Sequence, residues 1–126
     1  MKRIKAFLQR RRIRKIERWN KEAMDYAAQS IVAGKSGHEV SASICRKFAL
    51  ALVTKAATHC PKSYEPKRSI YFRAAVLIAL TDRQPQKAID LCQNALEGDS
   101  PIRNQFYDMI LKANQMIQGS KAKGVG

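Results

Sequence analysis

His59 and Cys60 are adjacent, and a thiol beside an imidazole is the pairing from which a cysteine nucleophile is made. The pairing works only if the ring nitrogen reaches the sulfur; neighbours at a helix end point in different directions, so these two are read as incidental. The other histidine, His38, stands beside a glycine turn. No CxxC, HxxxH or Glu-x-x-His spacing occurs, so neither a metal nor another cofactor is expected. Asp82, Asp90, Glu97 and Asp99 are the nearest thing to an acidic cluster. Asp90 and Glu97 are seven residues apart on one predicted helix, a spacing that suits a shared solvated face better than an acid–base pair. Gly34-Lys35-Ser36 looks like the end of a phosphate-binding loop, yet Gln29 stands where that loop needs its first glycine and no strand precedes it. No catalytic activity is expected.

The strongest chemical signal is charge. The formal net charge is +14, and ten of the 24 Lys and Arg residues fall between Met1 and Lys21, opposed only by Glu17. Lys2, Arg3, Lys5, Arg10, Arg11, Arg12, Arg14, Lys15 and Arg18 are the candidate anion-contacting residues. Such a segment can lie on an anionic membrane, grip nucleic-acid phosphates or enter an acidic groove on a partner protein. Ile4, Phe7 and Leu8 share a helical face, but Ile13 falls nearly opposite Ile4, so apolar and charged faces separate only modestly. Trp19 could stack on a base, although its register with Ile16 and Ala23 favours the core. A solvated helix with no ligand is the less favourable reading, because clustered like charges repel unless something neutralises them.

The pattern predicts about five helices in an all-α fold. Ile16, Trp19, Ala23, Tyr26, Ala27, Ser30 and Ile31 make a continuous stripe; before Ile16 it fails, so residues 1–15 are expected to be a helical extension projecting from the core. Gly34 to Gly37 should end this helix, with Ser36 and Glu39 forming a capping box for the next. The second helix carries Val40, Ile44, Phe48 and Leu52 on one row; the third, opened by Pro66, is apolar nearly all round, and these two are the predicted interior pair. Pro85 suits a first turn, and Ala88, Ile89, Leu91, Cys92, Ala95 and Leu96 mark one face of a fourth helix. Gly98 is expected to take positive φ at its end, and Ser100-Pro101 to start a fifth helix with a regular stripe from Ile102 to Ile117. Residues 119–126 should be a flexible tail.

Ala88, Ala95, Leu96 and Pro101 resemble the second helix of a tetratricopeptide repeat, with Phe72 standing for the leading aromatic of the first; Val76 and Ala79 depart from that family's glycine and tyrosine. The likeness covers about Ser69 to Pro101. An echo runs from Ala49 to Pro61, its alanine 39 residues before Ala88. The resemblance implies stacked antiparallel hairpins, an array over residues 40–117 within a helical domain of residues 16–118, and protein binding. Tyr64, Lys67, Arg68, Tyr71, Arg73 and Tyr107 are the candidate partner-groove residues.

The expectation is therefore a non-catalytic adaptor, assembly factor or small chaperone whose array binds another protein while the basic arm meets an anionic partner. The alternative is a nucleic-acid-binding protein or ribonucleoprotein subunit. Short arrays cap themselves poorly, so a homo- or hetero-oligomer fits the reading. Cys45, Cys60 and Cys92 are odd in number and suggest no disulfide framework, which points to a reducing cytoplasmic setting, with attachment to a membrane or a large assembly left open. Ile70–Leu80, the longest apolar run, is interrupted by Arg73. Only Ala6-Phe7-Leu8 separates the first cations from the next, too little for a signal peptide, and the first 29 residues lack the serines of a transit peptide.

Overall fold

Ala42, Ala49 and Ala56 stand seven residues apart and all three are buried. Ile16, Ala23 and Ser30 repeat that interval on the preceding helix and are buried too. Two rows of mostly small side chains, each recurring every two turns, let two helix backbones run close together. The computed structural model describes residues 2–124 and is all-α: α1 Lys2–Lys35, α2 Glu39–His59, α3 Lys67–Thr81, α4 Pro85–Leu96 and α5 Arg103–Gly124. It divides into two compact units, Met1–Cys60 and Pro61–Gly126.

In the first unit α1 and α2 form an antiparallel hairpin. At the turn, the amide of His38 donates to Ala33 O at 2.8 Å and that of Gly37 to Gly34 O at 3.1 Å, with Gly37 at φ +80°. This is a Schellman motif with glycine at its left-handed position. The motif overturns the expected capping box. Ser36 belongs to the end of α1, its amide bonded to Val32 O at 3.1 Å, and the N-cap of α2 is His38, which makes no side-chain cap. At the far end the Arg12 guanidinium donates from Nε and Nη2 to His59 O at 3.0 and 2.7 Å. Side-chain pairing thus reaches Arg12 and leaves residues 2–11 as an overhang, while the first buried residue of α1 is Ile16.

Of the row Val40, Ile44, Phe48 and Leu52, expected inside, the first three are 76%, 50% and 53% exposed and Leu52 is half-buried. The alanine row took the buried side of α2 because it fits closer to a neighbouring backbone. Phe48 instead stacks on Tyr26, ring centroids 5.3 Å apart. The expected interior pair is also corrected: α2 packs on α1, and the division at Cys60 and Pro61 places α2 and α3 in different units.

In the second unit α4 packs against both α3 and α5. Ala88, Ile89, Leu91, Cys92 and Ala95 form the buried face of α4, as their spacing predicts, with Pro85 in its first turn. Among the described residues of α5, Phe106 and Ala113 are buried, flanked by half-buried Met109, Ile110, Met116 and Ile117. The tail expected from Gly119 is helical through Gly124; residues 125 and 126 lie outside the described residues.

Two backbone positions depart from expectation for physical reasons. Gly98 does not take positive φ; the left-handed residue is Arg83, at φ 56°. Arg83 N bonds Leu80 O at 3.1 Å and Gln84 N bonds Ala79 O at 2.8 Å, a second Schellman motif that ends α3 without glycine. What Gly98 provides is space, since a Cβ there would lie 2.8 Å from Arg68 Nη1. Arg68 is only 2% exposed, and donates to Ala95 O at 3.2 Å and Asn94 O at 3.1 Å, while its guanidinium lies 4.8 Å from the centre of the Phe72 ring. Arg103 takes the neighbouring Leu96 O and Gly98 O at 3.1 and 2.8 Å. The C-terminal carbonyls of α4 thus accept from arginines of α3 and α5, in addition to the Glu97 and Gly98 amides on Asn94 O and Ala95 O.

A second polar link joins the starts of α3 and α5. The Glu65 carboxylate accepts the Ser69 amide at 3.0 Å and also the Ser69 hydroxyl. Ser69 has then spent its only proton, so the buried Ser100 hydroxyl must donate to Ser69 Oγ, 2.7 Å away. Ser100 Oγ in turn accepts the Ile102 amide at 3.2 Å, a serine turn that leads into α5; the expected N-cap is displaced, since α5 begins at Arg103 and the carbonyl of Ile102 accepts its first bond.

Replacing Arg83 by glycine should stabilise the protein by about 0.5–1 kcal/mol, because the left-handed conformation costs an L-residue more than it costs glycine. The check is a higher urea midpoint at unchanged m. Arg68→Met should destabilise by roughly 1–3 kcal/mol, since two charge-assisted bonds are lost while Asn94 O and Ala95 O keep only the amides of Glu97 and Gly98 as donors. Gly98→Ala should move the midpoint in the same direction by less, because the guanidinium can shift away from the new methyl.

Candidate anion-binding site on the first hairpin

α1 is one unbroken helix from Lys2, so the angular positions of its side chains follow directly at about 100° per residue. Lys2, Arg3, Lys5, Arg10, Arg11, Arg12, Arg14, Lys15 and Arg18 are all exposed. They surround the helix rather than occupying one side. Ile4, Phe7 and Leu8 are exposed on one arc, but Arg11, Lys15 and Arg18 return to that same arc over the next turns. The overhang thus lacks the continuous apolar face by which a helix lies in a membrane interface. Cations pointing several ways suit a partner that presents negative charge along its length.

At the root of the overhang the hairpin builds a more specific feature. Trp19 is half-buried, with the His59 ring edge-on to it at a centroid distance of 5.2 Å. The Nζ atoms of Lys15 and Lys55 lie 5.3 and 4.6 Å from the Trp19 ring centre. His59 Nδ1 is 2.8 Å from Lys55 O, the bond expected of a protonated Nδ1, and this fixes the ring. The result is a surface groove of about 420 Å³ between Leu8 and His59, with Arg11, Arg12 and Lys15 along it. Sequence reasoning counted Arg12 and Lys15 as arm residues and placed Trp19 by register, but it missed Lys55 and His59. They come from α2, up to 47 residues away from their α1 partners, and only the pairing register of the hairpin brings them together.

The second candidate set does not converge. Arg68 and Tyr71 are buried, contrary to their assignment to an open groove. Arg68 is consumed by the end of α4. Arg73 is half-buried and donates to Gln105 Oε1 at 3.0 Å, Tyr64 is half-buried, and Lys67 and Tyr107 are exposed, the latter's hydroxyl accepting from Arg103 Nη2 at 3.4 Å. The carboxylates are likewise dispersed, with Asp90 accepting a bond from Gln86 at 3.0 Å. His59 is engaged with Trp19 and Lys55 O, while the neighbouring Cys60 is buried. Among the described residues no group of three or more His, Cys, Asp or Glu is placed to hold a metal ion. Cys45, Cys60 and Cys92 are all thiols, and burial pushes that of Cys92 up from 9.0 to about 11.

No protein-family model matches the chain, and neither a curated protein nor a solved structure matches it. No helix among the described residues is long and apolar enough to cross a membrane.

The thiols give a direct check on packing. Half-buried Cys45 should react with a thiol reagent in the folded protein, whereas Cys92 should react only after denaturation. Below pH 9 the Cys92 thiol is protonated in both states and contributes no pH dependence; between pH 9 and about 11 the unfolded chain releases a proton that the folded one keeps. Stability should therefore fall over that window, and Cys92→Ala should remove this component of the fall.

Proposed function

We propose that this chain is a non-catalytic binding protein that holds nucleic acid through the basic half of α1. The carrying observation is the overhang itself: an exposed helix with cations on all sides. Arginine predominates there, and its planar fork matches phosphate oxygens two at a time. A polyanion can meet several sides of such a helix at once, whereas a flat membrane would meet one. A reducing compartment suits the three thiols.

A second reading, the protein-binding adaptor, is favoured by one different observation, the exposed apolar row Val40, Ile44 and Phe48 on α2. The tetratricopeptide-like character of Ala88, Ala95 and Pro101 belongs to that reading. In it the arm is an auxiliary contact and the helical hairpins are the principal surface.

Binding of the full chain to a labelled single-stranded oligonucleotide, followed by anisotropy across a salt series, tests the first reading. Affinity should fall steeply with salt. In the triple variant Arg3→Gln, Arg10→Gln, Arg14→Gln, the slope of log K against log salt should shrink by roughly 2, at about 0.7 for each single-strand phosphate that is no longer neutralised. Binding that ignores salt, a slope unchanged in the variant, or binding to phosphatidylserine vesicles alone would refute it.

A further inference from the structure

We infer that the groove at the root of the arm receives one unpaired nucleotide, its base against Trp19 and its phosphate between Arg11 and Lys15; the inference rests on the nucleic-acid reading above. A nucleotide makes two demands at once, a flat apolar surface for its base and cations a few ångströms away for its phosphate. This groove meets both. Trp19 and His59 supply aromatic surface, Leu8 extends it with aliphatic carbon above the buried Ile16, and the polar contribution comes from Arg11, Arg12 and Lys15; none of the described residues lining it is acidic.

The aromatic part is held in place before any ligand arrives. His59 is anchored through Nδ1 to Lys55 O, and its own carbonyl is clamped by two nitrogens of Arg12. Arg12 therefore acts as a positioning residue, leaving Arg11 and Lys15 for the phosphate. A preorganised surface loses less freedom on binding than one that must first assemble.

Trp19 also carries more positive charge than it needs. Two ammonium groups, Lys15 Nζ and Lys55 Nζ, share its ring. Each is attracted by the π-face, but each also repels the other. An incoming base can replace a lysine over the indole, and the displaced ammonium can turn to the phosphate of the same nucleotide. That exchange keeps the aromatic surface covered and neutralises charge. It needs an unstacked base, so the groove selects single-stranded segments or ends over blunt duplex.

Trp19 is the single tryptophan, so its emission reports this groove alone. Full-length protein is titrated with oligothymidylate, with a blunt DNA duplex, and with heparin, a polyanion without bases; anisotropy or calorimetry records binding and Trp19 emission records stacking. Oligothymidylate should quench Trp19 strongly, while heparin should bind with little quenching. A Trp19→Leu variant of unchanged helicity should lose roughly 5- to 150-fold in affinity for oligothymidylate, the range of one base–aromatic stack, and far less for heparin. Equal, weak quenching by oligothymidylate and heparin, or duplex quenching as strongly as the single strand, would overturn the nucleotide site while leaving phosphate binding by the arm intact. Absence of binding to any nucleic acid would overturn both. Should Trp19→Leu fail to fold, the emission of the unaltered protein still decides.

Discussion

The last carbonyls of a helix have no partner within it, and here arginines from other helices supply the missing donors. Arg12 of α1 does so for the end of α2, and Arg68 of α3 and Arg103 of α5 do so for the end of α4. Each bond joins a positive group to the negative pole of a helix dipole, so it fixes both the position and the direction of the helix it terminates. The rest of the packing follows from these clamps. With His59 tied to Arg12, the alanine row of α2 has one register against α1. With Ala95 and Asn94 tied to Arg68, the space over Gly98 is already occupied.

These clamps divide the cations into two populations. Arg68 is drawn into the structure and is almost wholly withdrawn from solvent, so it contributes to the net charge of +14 without offering a surface contact. The arm residues are different in kind. Up to Arg11 their exposure survives the folding of the hairpin because α2 ends at His59, opposite Arg12, while Arg14, Lys15 and Arg18 stay exposed alongside α2. The length difference between two helices is thus the structural origin of the candidate site.

Much of the fold was legible in the sequence. The α4 face, the stripe on α5 and Pro85 all depend on local spacing, which a single helix displays in full. What escaped were choices between competing faces and partners separated in sequence. Val40, Ile44 and Phe48 form the more hydrophobic row on α2, yet the tighter fit of Ala42, Ala49 and Ala56 prevailed, a decision made by the backbone separation of the pair. Gly98 was read by the commonest reason for a glycine at a helix end, whereas its role is set by Arg68, thirty positions earlier. The basic arm was legible as charge; its Trp19–His59 root was not, because nothing near Trp19 in sequence announces a lysine and a histidine from α2.

The arm carries its own electrostatic conflict. The first turn of α1 holds no acidic residue, while Lys2, Arg3 and Lys5 crowd the end where a helix dipole is already positive. Each such charge opposes the helix by a few tenths of a kcal/mol up to about 1. Residues 2–11 have no α2 beside them to offset this, so their helicity depends on intrinsic propensity alone. An anion bound there would neutralise the repelling side chains and complement the dipole together. The ligand would then stabilise the helix that recognises it, and salt, by screening both effects, would weaken recognition while relaxing the repulsion.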